Sequence, residues 1–278
     1  MSKIEKALSK AREERRSLQV VSVPGAAEKA ATGTALVTER AAHPETISRM
    51  AASELRLLGS DDLSARHIIH KNHVGDVAVQ VFRELRTQII QHSKGQNSVI
   101  LVTGVSNGNG SSFVAQNLGA AFAFDAVRTA LIIDCNLKNP SVHRLITKSP
   151  VRGLTDYLES PDTDVGEIIH PVGMARFRVI PAGGRADAQV EHFSSMRMRR
   201  LMDSVRRRYT ERFIILDGPP MSEIADIRIL SEFADYVLVV ARYGRTTHSQ
   251  IERCVSAIGN EKLLGIVFND EPRIPWFR

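Results

Sequence analysis

Apolar and polar positions follow two different rhythms along this chain, and the change near residue 76 separates its parts. In "MSKIEKALSKAREERR", Ile4, Ala7, Leu8 and Ala11 fall on one side of a helix and Ser2 with Glu5 can form a capping box. Residues 1–19 are therefore predicted to be an amphipathic helix. Residues 20–75 read as a linker with a helical segment: 20–45 are rich in Ala, Gly, Thr, Val and Pro without a sustained period, and Ile47, Met50, Leu57 and Leu58 give about 45–58 a helical stripe. From 76 onward, apolar runs bounded by polar loops alternate with amphipathic segments. They predict helices over 76–92, 111–124, about 195–209 and 247–258, and strands over 98–103, 129–134, 176–180, 213–217, 236–241 and 263–268. Apolar strands separated by helices predict an α/β domain over 76–271, a mostly parallel sheet with helices on both faces, followed by a short tail at 272–278. In such a sheet a ligand sits beyond the carboxyl ends of the strands.

Composition narrows this picture only a little. With 278 residues, 43% of them hydrophobic, the chain can bury one substantial α/β core and carry an appended segment. The net charge of +6, from 37 Lys+Arg against 31 Asp+Glu, suits an acidic partner, an anionic membrane surface or nucleic acid and selects none of them; of these, nucleic acid is not the expected partner. The basic segment "SSMRMRRLMDSVRRRYTER" offers Met198, Leu201, Met202, Val205 and Tyr209 to a core and leaves its arginines largely in water. Cys135 and Cys254 have no close partner in sequence, and no Cys or acidic cluster completes a zinc site with His67, His70 and His73. No stretch approaches the roughly 18 apolar residues of a membrane span, so a cytoplasmic location is expected.

The chemistry concentrates in "ILVTGVSNGNGSSFVAQNLG" at 100–119, a buried strand, a glycine-rich loop and a helix. Such a loop holds phosphates with backbone N–H groups and a helix N-terminus, while a lysine neutralises the β and γ oxygens and the next Ser or Thr ligates magnesium. Gly108, Asn109, Gly110, Ser111 and Ser112 are the candidate phosphate-binding residues; Ser112 is placed as the hydroxyl ligand, Ser111 stands where the lysine belongs, and Val105 takes the first glycine position. A serine can donate one hydrogen bond and carries no charge, so the loop could cradle an anion without its main cationic clamp. Two further strands end on carboxylates, Asp134 in "ALIIDCNLKNP" and Asp217 in "FIILDGPP". Ser112, Asp134 and Asp217 are thus the candidate magnesium ligands, because this metal takes hard oxygen donors near the phosphates.

These segments resemble the cytoplasmic domain of the bacterial tyrosine kinases that regulate capsule and exopolysaccharide synthesis, relatives of the MinD/ParA group of deviant P-loop ATPases. "NGNGSS" at 107–112 is similar to their Walker A ("PGEGKS"), "LIIDCNLKNP" at 131–140 to their Walker A′ ("LLIDADLRRP") and "IILDGPP" at 214–220 to their Walker B ("VIIDTPP"). "RGLTDYL" at 152–158, "VIPAGG" at 179–184, "ADYVLVV" at 234–240 and "LLGIVFN" at 263–269 follow the same framework in order, and the opening "MSKIEKALSKA" resembles the subgroup encoded with exosortase systems. The resemblance implies a P-loop NTPase-like fold, with Asp134 and Asp217 as catalytic residues if the site is active. It further implies that Asp134 could assist activation of a tyrosine hydroxyl. A helical E-x-x-R-x-x-R pattern, represented here by Gln80, Arg83 and Arg86, would make an intersubunit contact in a homo-oligomer.

The chain departs from that pattern where the family does its chemistry. Ser111 replaces the lysine, Asn136 replaces the second Walker A′ aspartate, Lys138 stands where arginine is usual, and Gln80 replaces the interface carboxylate. The last tyrosine is Tyr243, so the tyrosine-rich tail that the family phosphorylates is missing from "NDEPRIPWFR". The expectation is a regulatory or scaffold component of exopolysaccharide biosynthesis, with ATP and magnesium binding weakened or lost. Its partner would be a membrane polysaccharide co-polymerase or chain-length regulator that recruits it to the inner face of the cell membrane. The alternatives are an ATP-dependent protein-tyrosine autokinase and a MinD/ParA-like ATPase switch.

Overall fold

The strands are β1 (Val99–Gly104), β2 (Thr129–Asp134), β3 (His170–Val172), β4 (Met174–Ile180), β5 (Arg212–Asp217), β6 (Tyr236–Arg242) and β7 (Leu263–Asn269). They form one sheet in the order β3-β4-β2-β5-β1-β6-β7 in a computed structural model that describes residues 58–71, 76–146, 151–184 and 190–270. Every pairing is parallel except β3 with β4. The helices are α1 (Ser60–Ala65), α2 (Val77–His92), α3 (Ser111–Ala123), α4 (Leu154–Glu159), α5 (Val165–Ile168), α6 (Met196–Arg208), α7 (Ile224–Phe233) and α8 (His248–Ile258). The expected N-terminal helix, the segment at 45–57, His73 and the tail at 272–278 lie outside the described residues.

The central strands β1, β2 and β5 are buried along their whole length, as strands covered on both faces must be. On one face, α3 is buried on nearly every side, with Phe122 stacked on Phe213 at 4.2 Å between ring centroids. Helix α2 covers α3 through Val79, Phe82 and Ile89. On the other face, Met198, Leu201, Met202 and Val205 of α6 pack with Ile227 and Leu230 of α7 and with Cys254 of α8. The arginines of α6 do not all remain in water: Arg197 lies over the Tyr157 ring at 4.2 Å and donates to the carbonyl of Tyr157 at 2.6 Å.

The packed core reaches upstream of residue 76. Leu58, Leu63, Ile68 and Ile69 are buried against the α2–α3 side, and a buried asparagine fixes the segment there. Asn117 Oδ1 accepts the Ile69 N–H at 2.8 Å and its Nδ2 donates to the His67 carbonyl at 3.0 Å. Without this side chain, two backbone groups in an apolar setting would lack partners.

Candidate phosphate and metal site

At the carboxyl ends of β1, β2 and β5 the chain assembles a loop, a helix start and two carboxylates. The glycine loop takes positive φ at Gly108 (76°) and Gly110 (84°), where a side chain is strained, and a Cβ on Gly110 would collide with the Asn269 amide. Gly110 precedes α3, whose first turn has no side-chain cap among the described residues, so the helix presents backbone N–H groups and its positive dipole end to the loop. Asn109 anchors the loop by donating from Nδ2 to the Val240 carbonyl at 3.2 Å and accepting from the Ser106 hydroxyl at 3.0 Å. From the other side, Asn269 Nδ2 donates to the Asn109 carbonyl at 3.0 Å. Ser111 opens α3 half-buried.

The parallel register of β2 and β5 sets Asp134 beside Asp217. Both are buried, and burial raises both carboxyls. Asp134 is pushed up to about 6, against the opposing pull of three backbone N–H donors: Val142 and Ser141, both at 2.9 Å, and Asn136 at 3.2 Å. Asp217 is raised well above the usual carboxylate range by burial and then by the Asp134 charge, opposed in part by the Ser112 and Ser141 hydroxyls. Asp217 Oδ1 accepts from Ser112 Oγ at 3.0 Å, while the buried Oδ2 has no hydrogen-bond partner among the described residues. An orphaned carboxylate oxygen beside a serine hydroxyl and a second carboxylate fits a hard cation such as magnesium, since all the donors are oxygen. Asp134, already committed to three N–H groups, has less capacity left than Asp217.

The structure thus brings the seven residues Gly108 to Ser112, Asp134 and Asp217 to one end of the sheet. Gln80, Arg83 and Arg86 lie apart on α2. Gln80 is exposed, Arg83 lies over the Phe124 ring at 5.7 Å, and Arg86 Nη1 donates to the Ala121 carbonyl at 3.0 Å, so both arginines are engaged with the C-terminal end of α3. Sequence reasoning missed Asn269 and Glu223. Asn269 ends an apolar strand on a polar residue, the signal that marked Asp134 and Asp217. Glu223, on the loop between β5 and α7, forms an ion pair with Lys138 at 2.9 Å.

No family model matches the chain. Among curated proteins it is 29% identical over 197 residues, 70% of this chain and 27% of the relative, to the tyrosine-protein kinase wzc of Salmonella typhimurium. It is 30% identical over 208 residues, 73% of this chain and 27% of the relative, to the putative tyrosine-protein kinase EpsB of Ralstonia solanacearum. The chain therefore spans about a quarter of the length of these relatives. Among solved structures, the kinase domain of Escherichia coli tyrosine kinase ETK has the same fold, with a TM-score of 0.65 and 24% identity over 78% of this chain and 91% of that one.

Proposed function

The chain is homologous to the bacterial tyrosine-protein kinases over about 70% of its length, and from that premise we propose that it serves exopolysaccharide biosynthesis as a phosphate-holding regulatory or scaffold domain with weakened phosphoryl transfer. The observation that carries this reading is Ser111 at the start of α3: the cradle of N–H groups is formed, and the residue that should bring a positive charge into it brings a hydroxyl. Magnesium, when bound, would offset phosphate charge beside Asp217 and Ser112. The side chains of the loop position and hydrogen-bond an anion; they do not neutralise one. A membrane polysaccharide co-polymerase is the partner this role calls for.

A second reading, an ATP-dependent protein-tyrosine kinase, has direct support from the names of the relatives and from the retained trio of Ser112, Asp134 and Asp217. Homology favours it over the first reading; the charge of the loop favours the first. Calorimetric titration of ATP and ADP, with and without magnesium, against wild type and Ser111→Lys addresses the cradle. The lysine variant is expected to gain roughly tenfold or more in ATP affinity, the scale of one charge-assisted contact. Steady phosphotyrosine formation or hydrolysis by the wild type, lost in Asp217→Asn, would overturn the impaired reading in favour of the kinase.

A further inference from the structure

The loop after β2 is folded tightly onto Asp134. Its carboxylate accepts the backbone N–H groups of Asn136, Ser141 and Val142, and the Asn139 N–H reaches the Asn136 carbonyl at 3.1 Å. Lys138 stands on the outside of this turn, 62% exposed, so its backbone is fixed while its four-carbon stem is free to swing. Its ammonium lies 2.9 Å from Oε2 of Glu223. The loop bearing Glu223 is in turn stitched to the root of the glycine loop: Met221 N–H donates to the Gly104 carbonyl at 2.8 Å, Gly218 N–H to the Val102 carbonyl at 2.9 Å, and the Thr103 hydroxyl to the Pro219 carbonyl at 2.6 Å. Since β5 lies between β2 and β1, the ion pair draws the ammonium from the β2 side toward the strand that carries the loop.

We propose that Lys138 supplies, from the loop after β2, the cation that Ser111 leaves out of the glycine loop, and that Glu223 holds it in reserve until a nucleotide's phosphates arrive; this rests on the reading that the loop cradles those phosphates. The exchange is physically easy. The lysine end of this pair is exposed while Glu223 is largely covered, so the pair contributes modest stability, and a polyphosphate offers more charged acceptors than one carboxylate. Two other cations stand near the loop. Arg242 is paired with Asp270 at 2.6 Å, and Arg245 precedes Thr246, whose hydroxyl lies 3.5 Å from Asn109 Nδ2, so Arg245 is the rival source of charge that the test includes.

The test is calorimetric titration of ATP in magnesium buffer against the full chain, using Lys138→Gln, Glu223→Gln, the double variant, Arg245→Gln and Ser111→Lys, with circular dichroism to verify that each folds. Glu223→Gln is expected to tighten ATP roughly tenfold by releasing Lys138. Lys138→Gln is expected to weaken ATP and to erase the gain in the double variant. Equal tightening by Glu223→Gln with and without Lys138 would mean simple removal of a negative charge and would overturn the proposal. So would a loss confined to Arg245→Gln. If wild type binds too weakly to measure, Glu223→Gln must bring binding into range, and its failure sinks the inference. Should Ser111→Lys bind ATP while the Lys138 and Glu223 variants change nothing, the inference falls and the proposed cradle stands; should Ser111→Lys also fail to bind, both fall.

Discussion

Lowering the pH should stabilise the magnesium-free domain through Asp134, and the size of the effect follows from its burial. The carboxyl is carried from the ordinary 3.8 up to about 6 in the folded state. A folded value above the unfolded one means that the native state holds the proton more tightly, so the associated stability is fully present below about pH 3.8 and is lost as the pH rises through about 6. At about 1.36 kcal/mol per decade the whole effect is about 3 kcal/mol, of which roughly half remains at about pH 5. Asp217, raised by burial and by Asp134, acts in the same direction. The assay is urea unfolding in chelator at about pH 5 and about pH 7.5, comparing wild type with Asp134→Asn. The variant loses an acceptor for backbone N–H groups and starts less stable, so the pH slope is the informative quantity. Wild type should lose on the order of 1–2 kcal/mol more than the variant across this window, equivalent to several degrees in Tm for a domain of this size. Magnesium should restore the wild type chiefly above about pH 6, because it favours the ionised pair. Parallel profiles for the two proteins in chelator would refute the reasoning, since the titration would then belong to other groups.

Two further outcomes follow from backbone geometry and buried polar contacts. Gly110→Ala is expected to cost about 1–3 kcal/mol in denaturant unfolding, because φ is 84° there and the new Cβ meets Asn269; adding Asn269→Ala should relieve the collision and leave the backbone strain. Asn117→Ala is expected to cost about 2–4 kcal/mol by leaving the Ile69 N–H and the His67 carbonyl without their partner; hydrogen exchange at Ile69 should accelerate, and unchanged exchange there would show that the segment docks by apolar packing alone.

The parts of the fold legible in the sequence were those whose environment is the same on all sides. Strand β2 was expected over 129–134 and occupies Thr129–Asp134, because a strand buried on both faces is an unbroken apolar run that polar loops delimit. Strand β3 escaped notice because it is three residues long at the sheet edge and contains Pro171, a poor strand former. Docking of Ile68 and Ile69 was equally hidden. Nothing local in "ARHIIHKNH" indicates that a buried asparagine about fifty positions later will accept its backbone. Arg83 and Arg86 could be assigned to one helical face from their spacing, but the partner of that face is the end of α3, a tertiary fact with no local signature.

The candidate site divides along the same line: what shapes the loop is separate from what would charge it. Its conformation is fixed by positive φ at Gly108 and Gly110, by Asn109 bonded to β6 and by Asn269 reaching across from β7. A lysine at position 111 would add no bond to that set. The expected outcome is that exchanging serine and lysine at 111 changes folding little and, under the proposed function, changes phosphate binding strongly; similarity of fold to a kinase domain and kinase chemistry are therefore tested separately. Only charge-sensitive measurements bear on the second. The two sources of charge under test, a lysine placed at 111 and Lys138 on the loop after β2, enter through different elements, so their variants separate the proposed cradle from the proposed supply of its charge.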